Sequence, residues 1–246
     1  MNSTRSLLLI FLLLSLTSTL FGQITSSGLI YPIDSEQQDH CCILFPVGAA
    51  LSIFQSPGGQ MTGKMIKTVE DMQIGDISFK SYTLHFVDGA NDSTNVLDIF
   101  SSIPISSENM ALTFYDRQGD YVQLMHNAGP YWVNTKDLEA IGLKAYGLQE
   151  YMTLKSGDVL GFYPEVIINL RNGPSATAER IATLSYLHEI VLTGEHQGAW
   201  SKVKVIKLSE DRCLGGEEIE GSALEGWIKA IDDEGWSNIW YYAKGC

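Results

Sequence analysis

Three short motifs occur twice in this chain, in the same order, and this repetition limits the fold more than any other feature. Ser52-Ile53-Phe54-Gln55-Ser56-Pro57-Gly58-Gly59 aligns with Asn169-Leu170-Arg171-Asn172-Gly173-Pro174-Ser175-Ala176. Gly119-Asp120-Tyr121-Val122-Gln123-Leu124 aligns with Gly198-Ala199-Trp200-Ser201-Lys202-Val203, and Tyr131-Trp132-Val133 with Gly226-Trp227-Ile228. Ordered self-similarity of this kind implies two copies of one structural module. The copies are padded differently. Pro57 and Tyr121 lie 64 positions apart against 26 for Pro174 and Trp200, which places 38 extra residues in the first copy. The second copy carries 16 extra before its last motif, and these include Cys213.

The motifs sit among runs rich in β-branched and aromatic residues, which favour strands. Such runs cover residues 50–54, 76–87, 110–115, 121–124, 131–133, 166–170, 190–193, 201–208, 226–231 and 238–242. Turn clusters punctuate them, among them Ser56-Pro57-Gly58-Gly59, Asn172-Gly173-Pro174 and Asp233-Glu234-Gly235. The expected fold is therefore mainly β, in small barrels or sandwiches. Helical signal is weak. Residues 135–148 can hold one or two turns, with Asp137 and Glu139 near the start, and residues 177–184 can do the same. Residues 151–161 read as a short linker between the copies, with Gly157-Asp158 as its turn.

The N-terminus reads as an export signal. Arg5 precedes an apolar run, Leu7–Leu14, and the segment ends near Gly22. One positive charge, a short apolar core and a small residue make a secretory signal peptide over residues 1–22. The run is far short of the roughly 20 residues a spanning helix needs, so no membrane span is expected after cleavage. The mature chain then lies in the periplasm, at the cell surface or outside the cell. Loss of Arg5 moves the formal charge from −13 to −14. That balance excludes a nucleic-acid partner, which would require basic patches.

The second copy resembles a bacterial SH3-like (SH3b) domain. The residues that carry the likeness are Ile168-Asn169-Leu170-Arg171-Asn172-Gly173-Pro174-Ser175, followed by Ile181 and Leu184, then Gly198-Ala199-Trp200-Ser201-Lys202-Val203, then Gly226-Trp227-Ile228. The first copy follows the pattern more loosely, with Phe54 in place of the turn arginine. The resemblance implies two small SH3-like β-barrels in tandem. The first spans residues 24–155 and carries the long insertion; the second spans residues 160–246. It further implies an exported non-catalytic binding protein whose partner is a cell-wall peptide or an envelope protein.

Chemistry-bearing clusters are sparse, and neither a catalytic residue, a metal site nor a cofactor is expected. His40-Cys41-Cys42 suggests an alternative, a thiol-dependent envelope peptidase using Cys41 or Cys42. Adjacent strand residues point to opposite faces, however, and buried thiols at a strand start are the competing reading. An inhibitor or immunity-type protein that plugs a partner enzyme is the other alternative. Candidate ligand-contacting residues are Trp200, Trp236, Trp240 and Tyr242, because large rings can stack on peptide or sugar; packing roles compete. Cys213 and Cys246 are expected to pair, tying the acidic segment around Glu217–Glu220 to the chain end.

Overall fold

A computed structural model describes residues 27–34, 42–88, 93–96, 100–124, 130–157 and 161–242. The expected signal segment, His40, Cys41 and Cys246 lie outside these residues. The described chain is mainly β, in antiparallel sheets of which none closes on itself.

Strands of the first half are β1 (Gly28–Pro32), β2 (Cys42–Ile43), β3 (Ala50–Phe54), β4 (Met61–Ile74), β5 (Ile77–Asp88), β6 (Ser93–Asn95), β7 (Ser102–Pro104), β8 (Asn109–Gln118), β9 (Tyr121–Leu124), β10 (Tyr131–Asn134) and β11 (Leu143–Gly147). Helix α1 (Thr135–Ala140) precedes β11 and α2 (Leu148–Lys155) follows it. The second half holds β12 (Tyr163–Pro164), β13 (Ile168–Arg171), β14 (Arg180–Leu184), β15 (His188–Gln197), β16 (Trp200–Lys207), β17 (Leu224–Lys229) and β18 (Ile239–Trp240).

The strand pairing repeats along with the sequence. The first half runs β11-β1-β8-β9-β10-β3-β4. The second runs β18-β12-β15-β16-β17-β13-β14, with β12 joined to β15 through the Phe162–Ile190 bridge. The registers coincide as well. Trp132 lies opposite Gln123 and Phe54; Trp227 lies opposite Lys202 and Arg171, the partners the motif alignment assigns. The ladders break at equivalent points, between Ile53 and Phe54 and between Leu170 and Arg171. The two hairpins also turn alike. Gly119 at φ 58° and Gly198 at φ 57° each open a two-residue loop, a left-handed conformation that favours glycine.

Period-two burial explains these strands. Ser201, Val203 and Val205 of β16 face inward while Lys202 and Lys204 face outward, and β3 buries Leu51 and Ile53 in the same way. Each fully buried aliphatic side chain contributes about 1.5–3 kcal/mol. The first half has its own apolar core, which includes Leu51, Phe86, Phe114, Leu124 and Val133. The second half's core does not stop at its own residues. Leu170, Ile190, Val203 and Ile228 pack in one cluster with Leu29, Tyr31, Leu148, Tyr151 and Met152 of the first half.

Several sequence expectations change here. Residues 177–184 are not helical: β14 lies in their place, antiparallel to β13, and β-branched Ile181 and Thr183 suit a ladder. Residues 135–148 hold α1 and then a strand. Asn134 caps α1 by accepting from the Lys136 N–H at 2.9 Å, and Gly142 at φ 78° follows its end. The expected linker begins instead with α2, whose Tyr151 and Met152 are fully buried. Most of the extra sequence of the first copy is a two-stranded ribbon of β4 and β5, closed at Gly75-Asp76. Its distal residues face solvent, which removes the alternation that would announce β4 in the sequence.

Candidate functional site

Helix α2 lies at the seam between the halves, and aromatic residues of the C-terminal strand lock it there. The Tyr151 ring stacks on Trp240, with centroids 5.8 Å apart and planes at 15°. Its hydroxyl meets that of Tyr241 at 2.7 Å, and Tyr241 donates in turn to the Ile105 carbonyl at 3.0 Å. The Trp240 indole N–H donates to the Pro104 carbonyl at 2.9 Å. Burial pushes the Tyr241 hydroxyl up to about 12, because a phenolate would lose its water.

Beside this seam lies a cleft of about 530 Å³ lined by both halves. Phe114 of β8 and Leu148 of α2 form apolar wall from the first half, and Ile231 with Gly194 and His196 of β15 line it from the second. Polar groups converge from the first half. Arg117 lines the cleft, with its Nη2 donating to the Ala145 carbonyl at 2.7 Å and its guanidinium 5.7 Å from the Phe114 ring centre. The first turn of α2 lines it too. The N-cap is Gly147, which has no side chain to accept from the helix amides. The Leu148 N–H donates to the Ser27 carbonyl at 3.1 Å, whereas helix geometry leaves the Gln149 and Glu150 amides without an intrahelical acceptor. The Gln149 side chain donates to the Gly198 carbonyl at 2.6 Å and ties α2 to the second-half hairpin.

The acidic group that lines the cleft, Glu150, and the nearby Glu195 both have cationic partners. Glu150 pairs with Lys144 at 2.9 Å, and that hydrogen bond raises the Lys144 ammonium above its usual range. Glu195, next to His196, pairs with Lys202 at 3.2 Å. Ser27 also lines the cleft. It is 1% exposed, and its Oγ has no hydrogen-bond partner among the described residues. A buried unsatisfied hydroxyl costs about 1–3 kcal/mol; this one packs toward Gly235, on which a Cβ would fall 3.1 Å from it.

The four aromatic candidates do not form one open platform. Trp240 is 5% exposed and belongs to the seam, while Trp236 is 41% exposed on the turn before β18. Trp200 is half-buried on β16. The Tyr242 ring stacks on Tyr163 at 4.3 Å, and its hydroxyl donates to Asp211 at 3.0 Å. Burial first, and the Asp211 carboxylate second, push that hydroxyl up to about 12.

The acidic segment is anchored more firmly than its composition suggests. Arg212, in a short 3-10 turn, donates from Nε to the buried Glu189 carboxylate at 3.0 Å. Tyr163 donates to the same Glu189 oxygen at 3.2 Å. Cys213 stands beside this anchor; its expected partner, Cys246, lies outside the described residues, as does Cys41 of the thiol alternative. Among the described residues no group of three or more His, Cys, Asp and Glu side chains could hold a metal ion, and no helix is long and apolar enough to cross a membrane.

Ser27, Arg117 and Gln149 gave no sequence signal, because each depends on how the halves are placed. No protein-family model, curated protein or solved structure matches the chain.

Proposed function

We propose that this chain is an exported, non-catalytic binding protein, built of two SH3-like modules in tandem, that recognises a cell-envelope component such as a peptidoglycan peptide or a protein. The observation that carries this reading is the duplicated strand order with its coincident registers, from Trp132 opposite Phe54 to Trp227 opposite Arg171. Two copies that share a core leave a cleft at their junction, and junctions between modules are preferred ligand sites. The cleft lies on rigid elements, since α2 is pinned by Tyr151 on one side and by Gln149 on the other. Residues 23–246, purified and mixed with isolated peptidoglycan, are expected to sediment with it. Recovery no higher than that of an unrelated acidic protein would contradict wall binding.

A further inference from the structure

We propose that the outer face of the second-half sheet is a docking surface for a carboxylated glycan, which stacks a sugar ring on Trp227 and sets its carboxylates against the cations on either side. The surface is separate from the cleft and does not depend on it. Register places four side chains in one row across β14, β13, β17 and β16. Arg180 lies opposite Arg171, Arg171 opposite Trp227, and Trp227 opposite Lys202. Directly paired residues share a face, and strands lie about 4.8 Å apart, so the row spans roughly 14 Å. Leu170, Ile228 and Val203, the chain neighbours of Arg171, Trp227 and Lys202, are fully buried, which turns the row outward.

The charge on this face is not balanced from within. Lys202 pairs with Glu195 and Glu225, and Lys229 pairs with Asp233. Among the described residues neither Arg171 nor Arg180 has an acidic partner, although the two stand directly opposite each other. Like charges so placed destabilise a ladder, and an anion received between them removes that repulsion. Arg171 is anchored by one hydrogen bond, from Nη1 to the Ala178 carbonyl at 2.6 Å, and a guanidinium has five donors. Trp227 selects among anions. It is half-buried at the centre of the row, and an indole face suits the flat C–H face of a sugar ring, which an acidic side chain lacks. The chain's −13 opposes a polyanion as dense as a nucleic acid, whereas one carboxylate per ring matches a few cations at strand spacing.

The test is a titration of 15N-labelled residues 23–246 with tetragalacturonate, its methyl ester, tetraglutamate and oligothymidylate, all at one ionic strength. Saturable shifts of the Trp227 indole N–H are expected with tetragalacturonate, and at least about tenfold weaker binding of the other three, which lack either the charge or the ring. Trp227→Leu should weaken the acid about tenfold, as for a central Trp in an interface. Arg180→Glu should also weaken it about tenfold, without lowering the urea midpoint, because it replaces a like-charge pair by an opposite one. It should leave sedimentation with peptidoglycan unchanged. Equal binding of acid and ester, tighter binding of tetraglutamate or oligothymidylate, or indifference to Arg180→Glu would overturn the proposal. Absence of Trp227 shifts with every probe would do the same and leave the cleft reading intact. Loss of peptidoglycan binding in Arg180→Glu would overturn the separation of this face from the cleft.

Discussion

The hydroxyls of Tyr151 and Tyr241 meet at 2.7 Å across 90 positions of sequence and join the two halves through a buried hydrogen-bonded chain. Tyr241 gives its proton to the Ile105 carbonyl, so Tyr151 must be the donor to Tyr241. Tyr241→Phe therefore strands both a donor and an acceptor, and should cost about 1–3 kcal/mol. Tyr151→Phe removes only a donor and should cost less, about 0.5–1.5 kcal/mol. Urea unfolding followed by fluorescence checks the order of the two variants. The wild type should unfold in one transition because the halves share a core. Two separate transitions would contradict the shared core.

Alkaline stability follows from the same group. The Tyr241 hydroxyl is pushed up to about 12 in the folded chain, against an unfolded value of about 10. A raised value means that the folded state holds its proton more tightly. The contribution to stability is therefore complete below pH about 10 and disappears as the pH rises through about 12. Tyr242 acts in the same direction. Between pH 9 and 11 the urea midpoint should fall less steeply for Tyr241→Phe than for wild type. Equal slopes would show that Tyr241 does not titrate as its burial requires.

Arg212 stabilises through the charge that it neutralises. Glu189 is buried, and Arg212→Ala would leave its carboxylate without a cation, at a cost of about 3 kcal/mol. Gly161→Ala should also destabilise, since an added Cβ would fall 2.5 Å from Glu189 Cγ. Pairing Arg212→Ala with Glu189→Gln should recover part of the loss, as a double-mutant cycle can measure.

Much of the β framework was legible in the sequence, and the reason is local. Strands β3 and β16 alternate buried and less buried residues against a core, β9 and β10 are short runs rich in apolar residues, and Gly119 and Gly198 mark the hairpin turns. The repeat was legible because equivalent residues such as Trp132 and Trp227 sit in short motifs that recur in the same order, whatever the spacing between them. The ribbon strand β4 was not legible, because exposed residues such as Met72 and Ile74 face solvent and carry no period-two pattern. Helix α2 was read as a linker because its eight residues are too few to show a stripe, and its burial depends on Trp240 and Tyr241 from the far end of the chain. The cleft depends on the placement of the two halves, which no local pattern encodes.

Cys213 and Cys246 are expected to form a disulfide, a bond that the proposed export would permit. Arg212 already anchors the neighbouring residue, so the bond would add to an ordered turn and restrain the chain end. Closing a loop of this size stabilises by about 3–4 kcal/mol in the chain-entropy model. Non-reducing peptide mapping should recover the two cysteines in one linked peptide. A free Cys213 peptide, or one linked to Cys41 or Cys42, would contradict the pairing.

The most direct test of the account is to fill the cleft and ask whether envelope binding is lost. Thr153 is an exposed α2 residue that lines the cleft, so Thr153→Trp should occupy the space without disturbing the core. Sedimentation with isolated peptidoglycan should retain the wild type and release Thr153→Trp, both having the same urea midpoint. Equal retention of the two proteins, or no retention of the wild type, would contradict the claim that two copies of one module meet to form the binding site.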